Sequence, residues 1–206
     1  QKEKFMRATD ILSEEHRVIL KVLECMDAIA EEAERTGKLN KDAATAAVDF
    51  FRNFADGCHH AKEEDRLFVV MQENGIPREG GPIGVMLMEH DDGRHLVRNM
   101  AQSLEKAGEG DKEAIASFAR NARDFKALLT AHIQKEDQVL FPMAGQVLND
   151  TTAETLLADF KRIEAEAGGK RHAEYLEVAR KLCEAYDIPF LNSDQIPTIT
   201  AEFNPN

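Results

Sequence analysis

The stretch Cys58-His59-His60-Ala61-Lys62-Glu63-Glu64-Asp65 is answered far downstream by Ala131-His132-Ile133-Gln134-Lys135-Glu136-Asp137. Both contain His-x-x-x-Glu-Asp, starting at His60 and at His132. Residues four apart on a helix lie on one face, offset by about 40°. Each stretch therefore aims one imidazole and one carboxylate at a single point. A lone histidine precedes each stretch by a similar distance, His16 before His60 and His90 before His132. The repeat implies an internal duplication and a site of approximate two-fold symmetry.

The rest of the chain supplies helices to carry it. Apolar residues recur about every 3.6 positions, glycine and proline clusters cut the pattern into long segments, and no run reads as a strand. The first helix is expected from Asp10 or Ser13, both good N-caps, to Arg35, with Thr36-Gly37 ending it. His16 sits on its apolar stripe of Leu12, Ile19, Leu20, Leu23, Met26 and Ala30. The second is expected from about Asn40 to Asn74, with Phe50, Phe51, Phe54 and Phe68 facing inward. Two His-x-x-x-Glu pairs compete there. At 100° per residue, Glu64 falls within about 60° of the stripe's centre and His60 within about 100°, whereas His59 and Glu63 point roughly 160° away. The wheel thus selects His60 and Glu64 for the interior and leaves His59 and Glu63 as a surface pair.

Gly75 to Pro82 reads as a loop, and a third helix follows from about Ile83 to Ala107 with His90 on its stripe and His95 off it. Gly108-Glu109-Gly110 turns the chain, and Asp111 caps a fourth helix that carries Phe118, Phe125, Leu128, His132, Glu136 and Val139 on one face, with Pro142 expected to kink or end it. The short connections favour an all-α, up-down-up-down antiparallel four-helix bundle over residues 10–149. Residues 150–206 add two helices split by Gly168-Gly169, able to pack on the bundle or on a second subunit as a homo-oligomer, and an irregular tail from Asp187. His172 is expected in solvent and Cys58 in the core.

Six polar residues then fall at core-facing positions: His16, His60, Glu64, His90, His132 and Glu136. Burying them without partners would cost roughly 1–3 kcal/mol per group. Two metal cations would satisfy all six. Imidazole and carboxylate without thiolate suit iron or manganese, with zinc a lesser fit. Six protein ligands leave open positions for water, hydroxide or a small diatomic ligand. The net charge of −12 disfavours nucleic acid and anionic membrane as partners, and no apolar run approaches the roughly 20 residues of a membrane span. Three scattered cysteines suggest reduced thiols, and Gln1–Asp10 shows no secretory signal, so the expected location is cytoplasmic.

With these residues in view, the chain resembles the hemerythrin-like (HHE cation-binding) domain family over about Leu12–Leu148. The marks are His16, the Cys58–Phe68 stretch, Gly80-Gly81-Pro82-Ile83-Gly84-Val85-Met86, Glu89-His90 with Gly93-Arg94, and His132-Ile133-Gln134-Lys135-Glu136-Asp137 closing at Phe141-Pro142. The resemblance implies a non-haem di-iron site bridged by Glu64 and Glu136. It implies binding or sensing of O2, or reaction with NO or peroxide. One departure stands out: oxygen-carrying hemerythrins have His-x-x-x-His in the third helix, and here His90 is followed by Arg94. A more open iron argues against a pure O2 carrier and keeps a peroxide- or NO-consuming oxidoreductase, or an iron-handling or metal-gated interaction protein, as alternatives. Glu63, Glu89 and His95 are the residues at hand to fill the gap.

Overall fold

The computed structural model describes residues 7–166, 170–192 and 195, and six helices account for most of them. Helix α1 is Ala8–Thr36; Gly37, at φ 73°, closes it by donating its N–H to the Ala33 carbonyl at 2.9 Å, a left-handed turn that suits glycine. Asp10 accepts from the Arg7 N–H at 2.9 Å, so α1 begins slightly before the expected caps. Ser13 serves another purpose, donating to Asp137 at 2.7 Å.

Helix α2 is continuous over 41–73 but is not a uniform α-helix. It is α-helical over Lys41–Phe50, π-helical over Phe51–His60, π-helical again over Glu63–Leu67, and returns to α over Phe68–Glu73. Helix α3 is Pro82–Gly108. Helix α4 is continuous over 112–147: α-helical over Lys112–Lys135, π-helical over Glu136–Leu140, and α-helical over Phe141–Val147. Asp111 caps α4 as expected, accepting from the Ala114 N–H at 2.8 Å. Pro142 neither ends nor breaks the helix. The wide π turn just before it already departs from the i→i−4 ladder that a proline would otherwise interrupt.

Side-chain pairs give the register of the first four helices. Ser13, Asp27 and Glu34 of α1 meet Asp137, Lys126 and Arg123 of α4, so these two run in opposite senses. Lys41, Asp56 and Glu64 of α2 meet Glu105, Arg94 and His90 of α3, again in reverse order. The apolar interior is divided in two. One part gathers Val22, Met26, Phe50, Phe51, Phe54, Phe118 and Phe125; the other gathers Leu12, Leu67, Phe68, Met86, Leu140 and Phe141. Between them lies a layer of buried histidine and glutamate.

Helices α5 (Asp150–Glu166) and α6 (Lys170–Ala185) pack on this bundle. Leu156 and Phe160 join the second apolar part, and Ala179, Leu182 and Cys183 join the first. Cys25 of α1 and Cys183 of α6 touch at 3.5 Å as free thiols. Leu156, Phe160, Ala179, Leu182 and Cys183 are therefore covered within one chain, the first of the two packings that the sequence allowed for these helices. Ile188, Phe190 and Leu191 also pack against the core, so the segment after Asp187 begins as covering structure. Gly168-Gly169 and most of the tail lie outside the described residues. Among the described residues no helix is long and apolar enough to cross a membrane.

Candidate metal centre

The polar layer brings together five histidines and two glutamates. His16 comes from α1, His59, His60 and Glu63 from α2, His90 from α3, and His132 and Glu136 from α4; all seven are buried. Their donor atoms form two overlapping groups, each within 4.8 Å: His16, His59, Glu63 and Glu136, and His60, Glu63, His90 and His132. Glu63 belongs to both groups. Glu136 joins them as well, because its Oε2 lies 3.2 Å from both His16 Nε2 and His132 Nε2.

Five of the six residues expected at the centre are there. The sixth, Glu64, is not. It is 24% exposed and faces α3, where it accepts from His90 Nδ1 at 2.7 Å and from Arg94 at 2.6 Å. Glu63, expected on the surface, is fully buried and takes the central place, and His59 accompanies it inside. The cause is the π-helical backbone. An i→i+5 turn advances each residue by less than the 100° assumed for an α-helix, and the lag accumulates from Phe51 to Leu67. By residue 59 it has carried the supposed outer pair to the interior.

Because α2 lies between α1 and α3, adjacent histidines can both be used. His59 turns toward α1, with its ring 4.7 Å from that of His16, and His60 turns toward α3, stacking on His90 at 3.8 Å. His60 thus lies on the same side of the centre as His90 and His132. Of the residues expected to make up for the absent second histidine of α3, Glu63 reaches the centre. Glu89 instead backs His132, and His95 is exposed and bonded to the Asp91 carbonyl.

Each histidine presents Nδ1 to a carboxylate behind it. His16 donates to Asp137 at 3.0 Å, His59 to Glu15 at 2.9 Å, His60 to Asp56 at 3.3 Å, His90 to Glu64 at 2.7 Å and His132 to Glu89 at 2.9 Å. With Nδ1 holding the proton, Nε2 is the lone-pair atom, and such backing carboxylates fix ring orientation in metal sites. The Nε2 atoms of His90 and His132 approach to 3.1 Å. The two cannot satisfy each other if both carry lone pairs.

The centre is electrostatically incomplete as built from protein alone. Among the described residues, His16 Nε2 and both carboxylate oxygens of Glu63 and of Glu136 are buried without a hydrogen-bond partner. Burial, and then the Glu136 carboxylate beside it, push the Glu63 carboxyl well above its usual range. Burial acts the same way on Glu136, but the His132 and His16 rings outweigh it and hold that carboxyl well below. Burial also opposes charge on His16, yet Asp137 and Glu136 raise it to about 9, whereas burial drives His59 down to about 4. In the metal-free chain protons on His16 and Glu63 relieve the facing carboxylates, and cations between them would do the same for the neutral imidazoles and ionised carboxylates. The donor set fits such cations, with nitrogen and oxygen and no sulfur. Cys58, the nearest thiol, points away and donates to Glu164 at 3.1 Å; burial pushes its thiol up, so it stays protonated.

The hemerythrin HHE cation binding domain model matches residues 7–144. This chain belongs to the hemerythrin HHE family. No curated protein and no solved structure matches it. Membership means a metal-binding helical domain, and the match spans all seven central residues. Within this hemerythrin chain, the register of the α2 motif is the point that helical periodicity misread. One sequence signal would have corrected it. Leu-Phe follows Glu136 at Leu140-Phe141, and the same pair, Leu67-Phe68, follows Glu63 at the same spacing. Aligning the two pairs equates His59 with His132, Glu63 with Glu136 and Glu64 with Asp137.

Proposed function

We propose that this chain is a non-haem di-iron protein of the cytoplasm, built on an antiparallel up-down-up-down bundle, that binds O2, NO or peroxide as a sensor or carrier. His16 and His59 would hold one iron and His60, His90 and His132 the other, with Glu63 and Glu136 shared between them. The observation that carries the reading is the convergence of five carboxylate-backed imidazoles on two buried carboxylates that have no other partner. Iron would supply the ligand-binding and redox chemistry. The protein positions the donors, holds the Nδ1 protons and keeps bulk water out with Phe68 and Phe141, whose rings stack on His90 and His16. The two positions are unequal, since three histidines face one and two the other, so the second has more room for an external ligand.

A cavity of about 410 Å³ favours a second reading. It lies beside α2, α3 and α4 and reaches His60, with Phe51, Ala55, Val97 and Phe125 on its walls and Arg94 beside them. This volume exceeds what a diatomic or hydrogen peroxide needs and suits a small organic substrate, such as an organic peroxide consumed by an oxidoreductase.

The deciding experiment loads the chain with Fe(II) anaerobically, removes free metal and measures iron per chain alongside the visible spectrum before and after O2. About two irons with a new band in air support the proposal. No retained iron, or two retained zinc ions with no iron uptake, would reject it. Turnover of peroxide by the loaded protein would favour the second reading over the first.

A further inference from the structure

The two halves of the centre repeat one arrangement behind their histidines. On one side His59 Nδ1 donates to Glu15 at 2.9 Å, and Lys62 pairs with Glu15. On the other, His132 Nδ1 donates to Glu89 at 2.9 Å, and Lys135 pairs with Glu89. Each lysine follows its histidine by three residues, and each glutamate immediately precedes the lone histidine of its helix, His16 or His90. The match in sequence and in space makes these two copies of one histidine–carboxylate–lysine relay.

Their surroundings differ completely. Lys135 is 42% exposed and Glu89 is 12% exposed. Lys62 and Glu15 are both at 0%. The difference comes from α5 and α6. Glu164 of α5 forms a second ion pair with Lys62, Cys58 donates to Glu164, and His172 of α6 sits with Nδ1 3.1 Å from Glu164 and 3.9 Å from Glu15. His172 is therefore buried, not in solvent as expected, and Phe54 meets its ring edge-on at 4.9 Å. Glu15, Cys58, Glu164 and His172 lie close enough to hold a metal themselves. Their cation is already supplied, since the Lys62 ammonium pairs with both carboxylates.

A fully buried ammonium is tolerated only with its counter-charges in place. Undocking α5 and α6 would take away Glu164 and admit water to Lys62 and Glu15, loosening the carboxylate that orients His59. In the equivalent relay behind His132, Glu89 and Lys135 lie on α3 and α4 and pair with each other, so that relay would not change. We propose that Lys62, Glu164 and His172 are positioning residues through which docking of α5 and α6 strengthens metal binding at the His16–His59 position, and only there. This rests on the dinuclear reading above. Carboxylates behind metal-bound histidines are typically worth about 10–100-fold in metal affinity. Coupling is reciprocal, so metal at that position should stabilise docking of α5 and α6 by the same factor.

The test uses the full chain and compares Lys62→Met with Lys135→Met, the same change at the two equivalent positions, with Glu164→Gln as a milder variant that keeps Lys62. Stepwise Fe(II) affinity is measured anaerobically by chelator competition, and hydrogen exchange of 150–192 is followed with and without metal. In the wild type, metal should slow exchange in α5 and α6 by about 10–100-fold. Lys62→Met and Glu164→Gln should weaken one of two iron-binding steps by about that factor and abolish the slowing. Lys135→Met should preserve the slowing. A wild type that binds two irons with unchanged exchange in α5 and α6 overturns this proposal alone, as does equal behaviour of the two lysine variants. A wild type that binds no metal overturns the dinuclear reading as well. If Lys62→Met does not fold, Glu164→Gln decides.

Discussion

Replacing Glu63 by leucine should make the metal-free protein more stable and the metal-loaded protein impossible to form. Both Glu63 oxygens are buried without a hydrogen-bond partner, and Glu136 faces them. An unsatisfied buried polar group costs about 1–3 kcal/mol, so two oxygens set a range of about 2–6 kcal/mol. Burial and Glu136 favour a protonated Glu63, whose proton meets the Glu136 carboxylate and leaves one oxygen unsatisfied, which points to the low end, about 2 kcal/mol. In a chain of this size that corresponds to a rise in Tm of about 4–8 °C. Leucine at 64 should act in the opposite way. Glu64 is half-buried and bonded to His90 and Arg94, so its loss should destabilise the metal-free chain by about 1 kcal/mol and weaken iron about 10–100-fold without removing a ligand. Thermal unfolding of both variants, metal-free and after anaerobic Fe(II) loading, with iron counted per chain, separates the cases. Retention of two irons by Glu63→Leu, or their loss in Glu64→Leu alone, would return the central carboxylate to the register that α-helical periodicity favours.

Other consequences are open to simpler measurements. Arg94 donates to Asp56, Glu64 and Asp91 at 2.6–2.9 Å and so holds the carboxylates behind His60 and His90; Arg94→Ala should lower iron affinity by about tenfold or more in chelator competition, and an unchanged affinity would show those carboxylates hold their places unaided. A Cβ on Gly84 would come within 2.5 Å of the Arg78 carbonyl, a backbone atom that must move; Gly84→Ala should cost about 1–3 kcal/mol, read as a lower urea midpoint at constant slope. Tyr186 donates to Glu32 at 3.0 Å, and burial with this bond pushes its phenol up to about 12. The folded chain therefore keeps a proton that the unfolded chain loses near pH 10, and this contribution to stability is present below pH 10 and fades as pH rises toward 12. Ultraviolet titration should show a late-ionising tyrosine that disappears in Tyr186→Phe.

How much of the chemistry could be read in advance differs from residue to residue. His16, His90 and His132 sit on α-helical stripes, and for them the 3.6 period was a valid ruler. Glu136 stands at the start of a π turn, before any lag accumulates, and the ruler still worked. His59, His60, Glu63 and Glu64 lie in or beside a long π-helical stretch, where assuming 100° per residue turned the motif inside out. The five backing carboxylates were invisible for a different reason. Except for Asp56, four residues before His60, each lies on a different helix from the histidine it orients, so its role exists only once the helices pack.

The amino-acid order by itself determined that the chain is helical, where its main helices begin and end to within a few residues, and that imidazoles and carboxylates would be forced into the core. Local periodicity, caps and glycine turns suffice for that. Tertiary structure decided which of two adjacent His-x-x-x-Glu pairs faces inward, because backbone hydrogen bonding at the site sets the angular pitch. It also decided that Lys62 and Lys135, alike in sequence, differ in environment. That difference depends on where α5 and α6 dock, a contact between residues more than a hundred positions apart.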